Sequence, residues 1–363
     1  MKLAIYGAQS YATGAYEAIK TLYPERNVLC FVVTKSDNNP TELMGLPVKE
    51  IAELSSEITE EEKKDFEVII ATPENVQAEI EATLDGFGFY DHIRLDIERW
   101  DELMRSYHLK MGRFRPLFSF PKGADMPAIH IYMAKSHKDR ELTNKYKVPE
   151  YMVPIQVGAA DSEINISELR DDEGVNISYK NGNYSELTGL YWIWKNILCE
   201  AKTSAENSNI YYGLAQYRRI LHLDDEELLK IADNDVDVVL PYPLPYEPDI
   251  NSHHERYIRE ADWTALLAAL GELQPDYADY FPTVLGQRYL YNYNVILAKK
   301  AILKDYCEWL FPVLERIEDL SQPKGSERSD RYIGYMGETL ETLYFMKNAD
   351  KYKIAHTSCK MLI

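Results

Sequence analysis

The chain has 363 residues, more than one average domain needs, and its 45% hydrophobic and 27% charged residues make an ordinary globular balance, so two domains with sizeable cores are expected. A formal charge of −19 repels phosphodiester backbones and anionic lipid, which argues against nucleic-acid binding and a polybasic membrane anchor. The 4 cysteines (Cys30, Cys199, Cys307 and Cys359) are scattered without a Cys-x-x-Cys pair, which argues against a zinc site or a disulfide framework and fits a reduced cytoplasm.

The N-terminus meets glycines after one short apolar run, unlike a signal peptide, and no apolar run approaches a membrane span, so a soluble cytoplasmic protein is expected. Residues 1–112 alternate between strand and helix patterns. Lys2 to Tyr6 reads as a strand entering the turn Gly7–Gly14, followed by helical Ala15 to Leu22 and a strand over Asn27 to Thr34. Helical Glu57 to Lys64 and a strand over Phe66 to Thr72 follow, and Pro73-Glu74-Asn75 opens a further helix. Strand, glycine turn and helix in repetition predict a Rossmann-like parallel sheet.

In that first turn, Gly7, Gln9, Ser10 and Gly14 are candidates to cradle a phosphate at a helix N-terminus. The spacing is not Gly-x-Gly-x-x-Gly, and Thr34-Lys35-Ser36 stand where a ribose-binding acid would end the second strand. Helix-on-strand packing accounts for the glycines slightly better. Residues 113–126 are basic, aperiodic and contain Pro116 and Pro121, so they read as a linker. A second α/β domain is expected over 127–363, opening with a strand at Ile129 to Ala134 and the basic run Lys135-Ser136-His137-Lys138.

Three segments of the second domain carry candidate chemistry. The strand Ile155-Gln156-Val157-Gly158 ends in small residues. Next, Asn176–Asn196 holds an aromatic stripe at helical spacing, with Asn181 and Glu186 placed to face a pocket at the helix start. The third, Tyr211–Leu221, ends in Gln216-Tyr217-Arg218-Arg219. Adjacent arginines in an acidic chain either pair with carboxylates or await an anionic ligand.

In this order, IQVGAA, NISYKNGNYSELTGLYWIWKN and YYGLAQYRRIL resemble the capsular and exopolysaccharide glycosyltransferase family long catalogued as a domain of unknown function. The later YLYNYNVILAKKAILKDYCEWLFPVLERIE and RYIGYMGETL resemble its C-terminal half, so the likeness covers roughly residues 127–345. The resemblance implies a GT-A-like glycosyltransferase domain with a helical C-terminal part. It also implies a UDP-activated donor sugar, galactofuranose first, and a bacterial capsular, exopolysaccharide or O-antigen glycan acceptor. The chain departs from the family pattern at Ala215-Gln216, at Asn292–Leu297 and at Glu338-Thr339, which leaves sugar specificity open. The N-terminal domain lies outside the likeness and resembles, faintly, the nucleotide-sugar-binding domains of sugar O-acyltransferases.

Glycosyl transfer needs a held diphosphate, a stabilised leaving group and a base for the acceptor hydroxyl. The Asp-x-Asp stretches Asp233-Asn234-Asp235 and Asp235-Val236-Asp237 precede an apolar strand, a poor place for metal ligands, so no cofactor is required, although a divalent cation such as manganese is compatible with the class. Arg218 and Arg219 are the expected metal-free clamp on the diphosphate. Lys135, His137, Lys138, Gly158, Asn181, Glu186, Gln216 and Tyr217 complete the donor set. Glu338 is the first candidate base, and His254 with Asp262 the alternative. Asn292, Asn294 and Arg331 are expected on the acceptor side, the two asparagines on one face of a strand. A lipid-linked acceptor would draw the enzyme to the inner face of the cytoplasmic membrane, and a homodimer is compatible with the N-terminal domain. Competing readings are a non-catalytic scaffold of a polysaccharide assembly complex, or a nucleotide-sugar oxidoreductase or epimerase.

Overall fold

The computed structural model describes residues 2–142, 147–199, 209–324 and 328–362. The chain forms a mixed α/β structure in two compact units: Met1–Arg113 with Leu244–Pro248, and Phe114–Pro243 with Asp249–Leu362.

The first unit runs β1 (Lys2–Tyr6), α1 (Ser10–Leu22), β2 (Asn27–Val33), β3 (Glu42–Leu43), β4 (Leu46–Glu50), α2 (Ile51–Glu57), α3 (Glu60–Lys63), β5 (Phe66–Ile70), α4 (Glu74–Gly86), β6 (His92–Arg94) and α5 (Ile97–Met111). Its strands lie in the order β3-β4-β2-β1-β5-β6, parallel except for the β3–β4 hairpin. The order reverses between β1 and β5, the doubly wound arrangement expected of alternating strands and helices. Apolar runs such as FEVII of β5 are buried along their whole length because helices cover both faces of a parallel sheet. Asp96 caps α5 by accepting from the Arg99 amide at 3.0 Å, and Gly112, at φ 65°, ends it.

The second unit begins at Phe114. Of residues 113–126, expected as a linker, all but Arg113 fall in this unit, and two join its core: Leu117 and Phe120 are buried with Ile129 and Ile131, and the Arg115 guanidinium lies over the Phe120 ring at 3.7 Å. The segment forms only a short 3₁₀ turn, Leu117–Ser119, after Pro116, and its prolines do not prevent burial of the apolar residues between them.

From there the chain forms β7 (Ala128–Lys135), β8 (Met152–Gln156), β9 (Leu169–Arg170), α6 (Asn181–Tyr184), α7 (Leu187–Ile193), β10 (Ile210–Gln216), β11 (Arg219–Leu221), α8 (Asp225–Ile231) and β12 (Val238–Pro241). After β13 (Leu244–Pro245) come α9 (Ile250–His254), α10 (Glu260–Leu273), α11 (Pro275–Leu285), β14 (Tyr289–Leu290), β15 (Ile296–Lys299), α12 (Lys300–Leu320), α13 (Tyr332–Lys347), β16 (Ile354–Thr357) and β17 (Cys359–Met361). The main sheet has the order β16-β12-β15-β10-β7-β8-β9, with β11 and β17 extending from β10. Strands β10, β7, β8 and β9 are mutually parallel, and β15 runs antiparallel to both β10 and β12.

Leu117, Tyr211, Val239 and Leu297 fill one core. Elsewhere in the unit α12 packs on β10 and β15, with Trp194 stacked on Phe311 at 5.3 Å, and α10, α11 and α13 build a helical layer around α12. Among the described residues no helix is long and apolar enough to cross a membrane.

Candidate functional site

Parallel strands end on one side of a sheet, so the C-terminal ends of β7, β8 and β10 bring Lys135, Gln156–Gly158 and Gln216–Arg218 to one edge. The register sets Gln216 opposite Ala134 and Lys135 opposite Gln156. The chain passes from β7 to β8 on one side and to β10 on the other. That makes the β7–β10 boundary a topological switch point, where open α/β sheets leave a crevice for ligands.

Two carboxylates and two asparagines assemble beside Gln216. Glu186 is the residue before α7 and is buried. The Asn294 side-chain amide donates to Glu186 Oε1 at 2.7 Å and to the Gly334 carbonyl at 3.2 Å, which ties the start of α7 to the first turn of α13. Asn292 Nδ2 reaches Glu338 Oε2 at 3.4 Å, and Gln216 Nε2 donates to the Tyr293 carbonyl at 2.8 Å. Gly337 lets the helix close on this group, because a Cβ there would stand 2.9 Å from Asn294 Oδ1 and 2.7 Å from a Leu187 methyl.

The backbone here is strained. Ser185 (φ 51°), Tyr293 (φ 76°), Asn294 (φ 50°) and Arg331 (φ 63°) are non-glycine residues in the left-handed region, and Arg331 Nε donates to Ser185 Oγ at 3.0 Å. Such conformations persist where surrounding contacts over-determine them, and they concentrate at functional sites. Asn292 and Asn294, expected on one face of a strand, sit instead in the turn before β15. The left-handed Tyr293 and Asn294 send them to different carboxylates, Glu338 and Glu186 respectively.

Electrostatics follow from burial. Glu338 is partly accessible at its helix surface, yet its carboxyl is pushed up to about 8, first by desolvation and then by the Glu186 carboxylate. The Tyr293 backbone, Asn292 and Arg331 oppose this. Burial also raises Glu186, against the pull of Asn294, its own backbone, Arg331 and Gln216. One turn further along α13, Glu341 is 1% exposed, and among the described residues neither of its carboxyl oxygens meets a hydrogen-bond donor. Burial, with Glu338 and Glu186 adding to it, pushes Glu341 well above the ordinary carboxylate range. Glu341 gave no signal in the sequence beyond its spacing of three from Glu338.

The basic run after β7 folds onto Asp139, which accepts from the Ser136 amide at 2.7 Å. Burial raises Asp139, and its backbone bond and the cations Arg218, Lys135 and Arg331 draw it back down, so the three cations gather around one carboxylate. His137 is half-buried in that turn and Lys138 is exposed. The two arginines diverge as neighbours do: Arg218 is exposed near the Tyr217 ring, whereas Arg219 is buried with its guanidinium 4.5 Å from the Tyr293 ring.

A buried hub holds the Gly158 turn. Asp171, 0% exposed, accepts from the Gly158 amide at 3.0 Å, the Ala159 amide at 3.1 Å, Thr188 Oγ1 at 2.6 Å and the Ser178 hydroxyl. Asn181 Nδ2 donates to the Ser185 carbonyl at 2.7 Å, and Asn181 presses on Gly158, where a Cβ would stand 2.7 Å from Asn181 Oδ1. Asp171 is hard to find in the sequence, where one Asp within the acidic stretch Asp171-Asp172-Glu173 looks solvated.

Other candidates lie in different surroundings. His254 is buried and stacked on Trp263 at 3.7 Å and 6°, with its imidazole pushed below its usual range by desolvation. Asp262 is fully buried and ion-paired with Arg328 at 2.7 Å. Asp233 accepts from the Asp125 amide at 3.3 Å, and Asp235 and Asp237 pair with Lys299, so all three stabilise turns. Among the described residues no group of three His, Cys, Asp or Glu is arranged to hold a metal ion.

In the first unit, Gly7 (φ 127°) is where β1 closes on the end of β5, since a Cβ would stand 2.7 Å from the Ala71 carbonyl oxygen. Gln9 precedes α1 and its side chain reaches Asn39 Oδ1 at 3.4 Å, and Ser10 opens the helix. Gly14 lies within α1, where a Cβ would stand 3.1 Å from the Trp100 ring.

A family model described as a domain of unknown function (DUF4422) matches residues 130–349. Among solved structures, the apo structure of WbbM, described as a bifunctional glycosyltransferase, is similar with a TM-score of 0.52 and 26% sequence identity, over 64% of this chain and 45% of that one. The chain thus spans less than half the length of that protein. No curated protein matches.

Proposed function

The chain belongs to the family described as a domain of unknown function (DUF4422), and from that membership we propose that it is a nucleotide-sugar-dependent glycosyltransferase of GT-A type. The likeness to WbbM supports the class, and one observation carries the assignment of a site. That observation is the Glu186–Asn294 and Glu338–Asn292 constellation beside Gln216, at the switch point of the main sheet, with Arg331 facing both carboxyls and also Asp139, which Lys135 and Arg218 face too.

The chemistry divides among these groups. Glu338 accepts the proton of the acceptor hydroxyl as its oxygen attacks the anomeric carbon. The bond from that carbon to the diphosphate oxygen breaks, and the leaving nucleoside diphosphate carries the charge away. A base titrating near the working pH combines availability with driving force, which suits a carboxyl held near 8. Arg218, exposed at the rim, stabilises the departing diphosphate in place of a metal, with Lys135 beside it. Arg219 supports the clamp by fixing Tyr293. Asn292, Asn294 and Arg331 bind sugar hydroxyls. The donor in this reading is a UDP-sugar, galactofuranose first, and the acceptor is a bacterial surface glycan, lipid-linked at the inner face of the cytoplasmic membrane. Gly7, Gln9 and Ser10 of the first unit remain candidates for a phosphate, and that unit for a dimer contact.

The test is a thermal-shift panel of UDP-, GDP-, CMP- and dTDP-sugars, each with manganese and with EDTA. A ligand that binds only the folded state raises the melting temperature. Stabilisation by a UDP-sugar that survives EDTA is expected. A shift that needs manganese would overturn the metal-free clamp, and no shift with any donor would favour a non-catalytic scaffold.

A further inference from the structure

Near Glu338 the second unit carries a row of aromatic rings with one of them, Tyr257, half in water. Tyr335 lies three residues before Glu338 and four after Arg331, so all three share one face around the start of α13. The Tyr257 ring stacks on Tyr335 with centroids 4.9 Å apart and planes 30° apart, and the edge of His253 meets Tyr257 at 5.3 Å and 61°. Tyr257 nonetheless stays 48% exposed. The Arg331 guanidinium closes the other end of the row, 5.9 Å from the Tyr335 ring.

The row is fixed in place. The Tyr257 and Ile258 amides both donate to the His254 carbonyl, Ile258 is buried as an anchor, and Arg259 pairs with Asp330 at 3.2 Å. That ion pair fastens the turn carrying Tyr257 to the residue preceding Arg331. The Tyr335 hydroxyl is raised first by burial and then, against Arg331, by Glu338, Tyr257 and Glu186, which places it within electrostatic reach of both site carboxylates.

We infer that Tyr257 and Tyr335 form a platform for one sugar ring of the glycan acceptor, set so that its hydroxyl reaches Glu338. This rests on the transferase reading of the same site. The C–H face of a pyranose or furanose is apolar and slightly positive, and it lies flat on the negative face of an aromatic ring. The rim hydroxyls of that sugar need polar partners, and Arg331, Asn292 and Glu338 stand along the same edge. Tyr257 leaves about half of its surface in water while it stacks on Tyr335, three residues before Glu338 on α13.

The test uses saturation-transfer NMR on the full chain with methyl glycosides of galactopyranose, galactofuranose, mannopyranose and rhamnopyranose, for wild type, Tyr257→Ala and Tyr257→Phe. At least one glycoside is expected to receive saturation at its ring C–H protons, with affinity falling about two- to tenfold in Tyr257→Ala and recovering in Tyr257→Phe. Because Tyr257 is half in water, the alanine chain is expected to melt with the wild type, and a melting curve checks this. Absence of any glycoside signal in wild type, an unchanged signal in Tyr257→Ala, or displacement of the glycoside by UDP alone would overturn the platform. If a glycoside binds through Tyr257 while no nucleotide-sugar shifts the melting temperature, the transferase reading fails and the platform stands. If nucleotide-sugars bind and transfer proceeds with no role for Tyr257, the platform fails alone.

Discussion

Asn294 donates one side-chain amide to two places, Glu186 Oε1 at 2.7 Å and the Gly334 carbonyl at 3.2 Å, and so fastens two helices that carry the site's carboxyls. Asn294→Leu keeps the volume and removes both bonds. The carboxyl of Glu186 then loses its buried donor, a loss of about 1–3 kcal/mol in stability. A lower melting midpoint and transfer reduced by ~10²-fold are expected, since a small displacement of a positioned group costs that much. Melting curves and a donor-to-acceptor assay read both, and full activity in this variant would remove Asn294 from the site.

With Glu338 as the proposed base, a pH dependence follows. A base acts when deprotonated, so kcat/KM is expected to rise about tenfold per pH unit below about 8 and to level off above it. Stability runs the other way. Once the pH passes the ordinary carboxylate range, the unfolded chain has released a proton that the folded chain still holds at Glu338. Unfolding free energy therefore declines as the pH climbs to about 8 and flattens beyond. Glu338→Gln should abolish the rate profile and weaken the stability slope together. A rate profile that is flat in the wild type would disprove the assignment.

Glu341 is buried without a hydrogen-bond donor among the described residues, which costs stability that an apolar side chain of similar size would recover. Glu341→Met is expected to raise stability by about 0.5–2 kcal/mol, the ordinary gain from correcting such a site. With its carboxyl held high in the folded state, the gain should be larger in alkaline than in acid buffer. Urea melts across pH test this, and a destabilised variant would mean that Glu341 has a partner in solution.

Adjacent Arg218 and Arg219 should separate cleanly. Arg218→Ala changes an exposed side chain, so the melting temperature is expected to hold while transfer falls by ~10²-fold or more if the proposed clamp is lost. Arg219→Ala empties a buried place against Tyr293 and should lower the melting temperature as well. Turnover of Arg218→Ala within about threefold of wild type would end the metal-free proposal.

Asp171 predicts a purely architectural loss. Its carboxylate accepts from two backbone amides and two hydroxyls, so Asp171→Ala strands several buried donors at once, at a cost of about 3 kcal/mol or more. Circular dichroism melts should show that loss without any change in the pH at which activity half-appears.

Much of this was legible in the chain. The alternation of apolar runs and glycine turns over residues 1–112 foretells a parallel sheet because both signals are local. Glu186, Gln216, Asn292 and Asn294 stood out as polar residues beside apolar segments, and Glu338 through the resemblance of RYIGYMGETL to the family's C-terminal motif; the fold gathers them. What stayed hidden is non-local or conformational. Asp171 becomes a hub only when residues 158, 178 and 188 converge on it, and the left-handed turn at Tyr293-Asn294 has no glycine to announce it. Leu117 and Phe120 were masked by flanking prolines. Tyr257 and Tyr335, far apart in the chain, meet only through tertiary packing.

The order in which the cluster's members leave the ribosome matters in its own right. Glu186, Gln216, Asn292 and Asn294 are all made long before Glu338, and the sheet beneath them still awaits β16 and β17. At about 5–20 residues per second, Glu186 waits roughly 8–30 seconds for Glu338. A chain interrupted before Glu338 would have Asn294 and Glu186 but leave Asn292 without its carboxyl partner, so the cell meets the completed cluster only in molecules whose synthesis has passed that point.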